Sequence, residues 1–249
     1  MCGRYVLTDL EKFLQRQKWI RRPPPTLIPP PRYNVAPQQD IVAVVRDKQD
    51  PAHGVVKPFR WGLVPSWSKD PAGGARMINA RRETLATKGA FRRAMERRRC
   101  LVPADAFYEW KQPASRDERK QPYAIRLKGD RPFAFAGLWE VWHDSNDPQA
   151  SPLFTCTIIT CESNRLVGEL HDRMPVILSE AKYHDWVDVD RVDARQAAQF
   201  LEPYPDDDMY IYPVDRRVGN VANEGPQLLE PQDEHRASHS DPDDSPTLF

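Results

Sequence analysis

Phe133-Ala134-Phe135-Ala136-Gly137-Leu138, followed beyond a polar interval by Phe154-Thr155-Cys156-Thr157-Ile158-Ile159-Thr160, sets the character of this chain. Both runs carry the apolar alternation and β-branched content of strands, and Ile41 to Val45 and Tyr123 to Leu127 read the same way. Helical patterns are fewer: Asp9 to Trp19, Thr84 to Arg98 and Ser179 to Val187. Thr8-Asp9 caps the first and Ser179 the third. This mixture predicts an α+β fold. The 25 prolines gather at Pro23-Pro24-Pro25 and Pro29-Pro30-Pro31 and then at single positions, the pattern of extended loops and turns between strands. Gln112 to Lys120 is polar and is expected to be a hairpin loop.

The chain has 249 residues, 40% hydrophobic and 29% charged, enough to bury one sizeable core. No internal repeat or linker divides it. A single domain is expected over residues 1–225, with 226–249 a disordered acidic tail whose Asp, Ser, Pro and His content rises from Glu230 onward. No run is apolar enough to span a membrane, and no basic-then-apolar leader opens the chain. The four cysteines, Cys2, Cys100, Cys156 and Cys161, form no CxxC pair and no zinc-type spacing with histidine. The last three read as buried small residues in a reducing compartment, so the expectation is a cytoplasmic protein without metal or cofactor. Formal net charge is zero, yet between Arg76 and Arg99 nine basic residues stand against only Glu83 and Glu96, while the chain beyond Glu202 is acidic. Such a basic segment suits phosphates, and equally a solvated helix face.

Cys2 is the residue with the most chemistry. Cysteine at the second position is small enough for the initiator methionine to be removed. The α-amine (pKa about 7.8) and thiol (about 8.5) then sit on adjacent carbons, both accessible to deprotonation near neutrality. Such a 1,2-aminothiol condenses with an aldehyde to a thiazolidine ring, or acts as an N-terminal nucleophile with its own amine as base. Taken alone, Cys2 reads more readily as an ordinary small buried residue near a terminus.

Six motifs surround that possibility in fixed order: Cys2-Gly3-Arg4-Tyr5, Tyr33-Asn34-Val35-Ala36-Pro37, Trp61-Gly62-Leu63-Val64-Pro65-Ser66-Trp67, Asn79-Ala80-Arg81, the run from Arg99 to Trp110, and His171-Asp172-Arg173-Met174-Pro175. Together they resemble the SRAP family, the SOS response-associated peptidases that shield abasic sites in single-stranded DNA, over roughly Met1 to Val221. The resemblance implies curled antiparallel sheets forming an open barrel with peripheral helices. It implies that Cys2 captures the ring-opened sugar aldehyde, that Asn79 orients it, and that Glu109 and His171 move protons. Arg4 and Arg81 would contact phosphates, with Arg82 adding charge at the groove. Trp67 would stack a base, and Pro37 would wedge beside one where a duplex ends. Single-stranded DNA with abasic sites, at ssDNA–dsDNA junctions too, is the implied partner of a monomer, nucleoid-associated in a bacterium. Weak lyase activity and self-removal of residues before Cys2 are further implications.

The residues support these roles on their own chemistry. An amide both donates and accepts, arginine forks onto phosphate, and a glutamate wedged between Tyr108 and Trp110 is expected to lose water and rise in pKa. Histidine exchanges protons near pH 7. Two positions depart from the family pattern: Arg82 replaces a common serine, and Ala106 a frequent glycine. Trp61, Trp110 and Trp139 read as core. The alternatives from other classes are an amide hydrolase, since glutaminase domains also begin Met-Cys-Gly, a module that grips single-stranded DNA without covalent chemistry, and a damage-independent protease.

Overall fold

The computed structural model describes residues 2–113 and 119–232. In chain order the strands are β1 (Tyr5–Leu7), β2 (Arg32–Val35), β3 (Asp40–Arg46), β4 (Gly54–Trp61), β5 (Asn79–Arg81), β6 (Arg99–Ala104), β7 (Ala106–Lys111), β8 (Gln121–Leu127), β9 (Phe133–Trp142), β10 (Leu153–Glu162), β11 (Arg173–Pro175), β12 (Ile177–Leu178) and β13 (Met209–Pro213). The helices are short: α1 (Leu10–Gln15), α2 (Gly89–Arg97), α3 (Arg165–Gly168), α4 (Tyr183–Val187) and α5 (Ala194–Ala198). The fold is α+β.

The strands expected from the sequence are present and extend further at their ends, Phe133 to Leu138 growing into β9 and Phe154 to Thr160 into β10. Pairing runs β10–β4–β3–β6–β9 and returns through β9–β10, so these five strands close into a barrel. The expected open barrel is therefore closed, and its sheet is not wholly antiparallel: β10 runs parallel to β4 and to β5. Beside it lies a second, open sheet in the order β13-β8-β7-β1-β2. Alternation divides that sheet's faces. Tyr5, Leu7, Phe107 and Ile125 join the barrel core, whereas Val6, Ala106, Tyr108 and Ala124 build a small outer core with Val214, Val218 and Leu228. Edge-on aromatic contacts stitch sheet to barrel, with Tyr5 against Trp61 and Phe135 at centroid distances of 5.5 and 5.9 Å, and Phe107 against Phe135 at 6.0 Å.

The helices fall short of their sequence patterns for tertiary reasons. α1 is capped by Asp9, whose side chain accepts from the Lys12 N–H. It ends at Gln15 because the chain peels off to bridge Ile20 with Gly54. Thr84 to Arg98 becomes a 3-10 turn over Arg82–Thr84, a break, and then α2, which buries Phe91, Ala94 and Met95. Ser179 makes no side-chain cap, and a 3-10 turn over Glu180–Lys182 precedes α4.

The expected domain boundary also moves. Pro226–Leu228 forms a 3-10 turn, Leu228 is buried, and the Gln232 N–H donates to the Pro213 carbonyl. The packed chain therefore continues past 225, while the rest of the expected tail lies outside the described residues. β7 and β8 pair up to Lys111↔Gln121, so Gln112 to Lys120 connects a hairpin, and residues 114–118 of it lie outside the described residues.

The basic segment divides too. Arg92, Arg93 and Arg97 are exposed on α2, whereas Arg99 is 1% exposed, and it cannot extend a charged surface. Its guanidinium donates to the carbonyls of Trp186, Asp188 and Val192, holding the end of α4 against β6, and burial lowers its pKa to about 10. Replacing it with a same-sized apolar residue orphans those carbonyls. Arg99→Met is expected to cost roughly 2–4 kcal/mol, read as a fall in the urea midpoint with unchanged slope.

Candidate active site

The start of the chain is held as an extension of β1. The Tyr108 N–H donates to the Arg4 carbonyl, and Tyr5 pairs with Phe107, so the antiparallel register sets Gly3 opposite Glu109. Tyr108 faces outward, hence Glu109 faces the barrel with Phe107. Cys2 is fully buried next to this carboxyl, and Glu109 is only 2% exposed. β5 brings Asn79 to the other side: its Nδ2 donates to the Cys2 carbonyl at 2.8 Å. The buried Asn79 Oδ1 accepts from no described residue. His171 closes the group from the turn before β11. The four side chains expected to carry chemistry thus converge from four segments far apart in sequence.

Burial governs their protonation. It pushes Glu109 up to about 7, with Asp172 adding a smaller like-charge effect. The Cys2 thiol rises far above its ordinary value, first through burial and then through the Glu109 charge. His171 is lowered by burial. Its Nδ1 accepts the Arg173 N–H at 2.9 Å and lies 2.8 Å from Asp172 Oδ1. These neighbours pull oppositely: the N–H favours the neutral ring with its proton on Nε2, the carboxylate favours the cation. Asp172 is 86% exposed, so water screens its pull, and partial burial of the ring favours its neutral form.

The rim residues separate into free and engaged. Trp67 is 71% exposed on the loop after Trp61-Gly62, and the Trp142 indole pins that loop through the Ser68 carbonyl. Gly62 has φ +134°, and a Cβ there would come 2.7 Å from the Gly74 carbonyl oxygen. Only glycine fits this turn. Pro37 is half-buried and opens a turn whose next residue, Gln38, takes φ +68°. Gln38 donates its N–H to the Trp61 carbonyl at 2.8 Å, so the Pro37 and Trp67 motifs share one anchor.

Arg81 is exposed and makes no ion pair among the described residues. Arg4 is different: it donates to Asn34 Oδ1 and to the carbonyls of Val218 and Gly219. Arg82 is held by Glu162 at 2.7 Å, Glu202 at 3.1 Å and the Leu201 carbonyl at 2.5 Å. Trp61 is in the core, but Trp110 and Trp139 are only half-buried.

Sequence reasoning missed the segment that Arg4 grips. Fully buried Asn34 donates to the carbonyls of Asn220 and Asn223, and Glu224 accepts from the Tyr33 N–H and pairs with Arg32. Nothing in the local sequence signals this closure of chain end upon chain start. Glu83, Thr160 and Arg173, which surround the His171 turn, were missed as well, although Arg173 lay inside a quoted motif.

A closed barrel and an appended sheet thus bring an amide, a carboxyl and an imidazole around the buried side chain of Cys2. Residues 1–221 match the family described as SOS response associated peptidase (SRAP), and the chain belongs to that family. It is similar to the abasic site processing protein YoqW of Bacillus subtilis (strain 168), 42% identical over 230 residues that cover 92% of this chain and 99% of that one. The abasic site processing protein HMCES of Gallus gallus is 31% identical over 229 residues, 81% of this chain and 66% of that one. A crystal structure from Bacteroides thetaiotaomicron shares the fold with a TM-score of 0.80 at 22% identity, covering 93% of this chain and all of that one.

No helix among the described residues is long and apolar enough to cross a membrane. No group of three or more His, Cys, Asp or Glu among them is placed to hold a metal ion.

Raising the pKa of Glu109 has a stability cost of known sign. From its unfolded value of 4.5 to its folded value of about 7, the folded state binds the proton more tightly, so stability falls as pH rises through that window. Glu109→Gln removes the penalty. The variant is expected to be more stable than wild type by up to about 3 kcal/mol at pH 8, with the gap closing toward pH 4.5 in urea melts.

Proposed function

We propose that this protein captures abasic sites in single-stranded DNA covalently, through Cys2 once Met1 has been removed. The observation that carries the reading is a buried glutamate poised near pH 7 directly beside a buried N-terminal cysteine. A carboxyl at that pKa both gives and takes a proton at neutral pH, which condensation of an amine with an aldehyde requires.

The α-amine of Cys2 attacks C1′ of the ring-opened sugar, giving a carbinolamine. Glu109 donates the proton with which the hydroxyl leaves as water, and an imine remains. The Cys2 thiol then adds to the imine carbon while its proton passes to nitrogen, closing the thiazolidine. The balance is aldehyde plus aminothiol to ring plus one water, without redox change. Burial keeps the thiol protonated, which sets the order as amine first and thiol second. The same burial argues against a glutaminase-type or protease reading, in which a thiolate must attack an amide.

Asn79 holds the Cys2 carbonyl and offers its unfilled Oδ1 to a hydroxyl of the sugar. A donor reaching that oxygen relieves a buried unsatisfied acceptor, worth about 1–3 kcal/mol. His171, neutral with Nε2 carrying the proton, assists sugar ring opening and reversal of the link. Trp67 stacks a base, worth about 1–3 kcal/mol, and Pro37 marks the edge where a duplex must stop. Arg81 neutralises a phosphate. Arg4 and Arg82 serve the protein's own scaffold, since their guanidinium groups are already bonded. Imine that fails to close allows β-elimination, giving weak lyase activity, and the peptidase chemistry is confined to residues preceding Cys2.

A denaturing gel tests the capture. Protein shown by mass to lack Met1 is mixed with an oligonucleotide bearing one abasic site. A heat-stable slow band is expected that needs the lesion and disappears in Cys2→Ala. Its absence from wild type sinks the reading and sends attention to glutamine hydrolysis.

The two arginines are separated by salt. Arg81→Ala is expected to reduce the slope of log affinity against log salt by about 0.7 for undamaged single strands, while Arg4→Ala leaves that slope unchanged and slows trapping.

A further inference from the structure

Arg173 begins β11 two residues after His171, and its side chain turns back across β10. Its Nη1 and Nη2 donate to Glu83 Oε1 and Oε2 at 2.8 and 3.1 Å, and Nη2 donates also to the Thr160 carbonyl at 2.7 Å. Glu83 stands in the 3-10 turn that follows β5 directly. β5 and β11 lie on opposite edges of β10, Arg81 and Pro175 both registering with Thr160. The pair is therefore a strap over β10, joining the strand that carries Asn79 to the strand that His171 leads into.

An exposed ion pair contributes about 0–1 kcal/mol and invites no functional reading. This one differs in geometry. The Arg173 side chain is 14% exposed, the contact is forked on both sides, and a third hydrogen bond fixes the guanidinium to the strand it crosses. Those hydrogen bonds hold Glu83 below its ordinary carboxylate range, so the pair is fully charged at neutral pH. The same arginine donates its backbone N–H to Nδ1 of His171 at 2.9 Å. One residue thus reads the position of the Asn79 strand with its side chain and sets the imidazole with its main chain.

We propose that Glu83 is a positioning residue: by forking onto Arg173 it fixes the amide that orients the His171 ring, leaving Nε2 as the proton-exchanging nitrogen, and it fixes the separation of Asn79 from His171. The consequence for rate rests on the capture reading above; the geometric part does not.

The test has two arms. In 15N NMR of histidine-labelled protein, with the His171→Gln spectrum assigning the resonance, wild type shows the neutral ring as the Nε2–H tautomer with Nδ1 accepting a hydrogen bond. Glu83→Gln keeps the size but replaces one acceptor oxygen by NH2, and its His171 signal is expected to shift toward a mixture of tautomers. Arg173→Lys, which keeps the amide but loses the fork, is expected to do the same. In the second arm, trapping by Glu83→Gln at saturating abasic oligonucleotide falls about tenfold, while affinity for the undamaged strand stays within twofold.

An unchanged His171 spectrum in both variants overturns the proposal whatever the rate does. A changed spectrum with an unchanged trapping rate overturns the functional half, because the strap then only holds the fold. If wild type forms no adduct, the capture reading has failed, and the spectra alone decide whether Glu83 positions His171.

Discussion

Strand β10 is hydrogen-bonded along both edges for nearly its whole length, and the partners change midway. On one edge β4 gives way to β5, and on the other β9 gives way to β11. The first half of the strand closes the barrel. The second half protrudes from the ring and holds Asn79 on one flank and the His171 turn on the other. A central strand paired on both sides is a stiff element, since shifting its register by one residue would exchange core and surface faces throughout. The positions of Asn79, at the start of β5, and of the His171 turn therefore inherit the rigidity of the barrel.

The other half of the site is fixed by a different ladder. Chain termini usually fray, yet here Cys2 to Arg4 continue β1 alongside β7, and the segment from Val218 to Leu228 is bonded over β1 and β2 by Arg4, Asn34 and Tyr108. Residues some two hundred positions apart enclose the chain start. Burying Cys2 and Glu109 side by side in this way raises the pKa of the thiol and of the carboxyl together. Burial at Glu109 therefore costs the molecule stability as pH rises through neutrality. Among the arginines around the site, most are paired. Arg4, Arg82 and Arg173 all find oxygen partners within the protein, whereas Arg81 beside Asn79 makes no ion pair among the described residues.

Much of this was legible in the residues. Strand existence at Phe133 and Phe154 followed from local alternation, because period-two patterning is a property of a few adjacent residues. The candidate residues of the site came from the resemblance of six ordered motifs to the SRAP family, since an Asn, a Glu between two aromatics or a single His reads equally well as structural when taken alone. Glu109 is desolvated as expected, but the cause differs: Tyr108 and Trp110 face the outer core, and it is the barrel side of the strand, shared with Phe107, that excludes water from the carboxyl.

What the sequence could not contain was set by long-range pairing. Whether the barrel closes depends on β9 meeting β10, and the lengths of α1 and α2 depend on where distant strands capture the flanking chain. The fate of each arginine was equally hidden. Arg4, Arg81, Arg82 and Arg99 look alike in a row of letters, yet one grips carbonyls, one is exposed without an ion pair among the described residues, one is held by carboxylates and one is buried. Charge acts through space and side-chain identity only through sequence. The sequence by itself determined which groups the protein possesses and where strands begin, while the tertiary structure decided which charges meet a partner and which remain for a ligand.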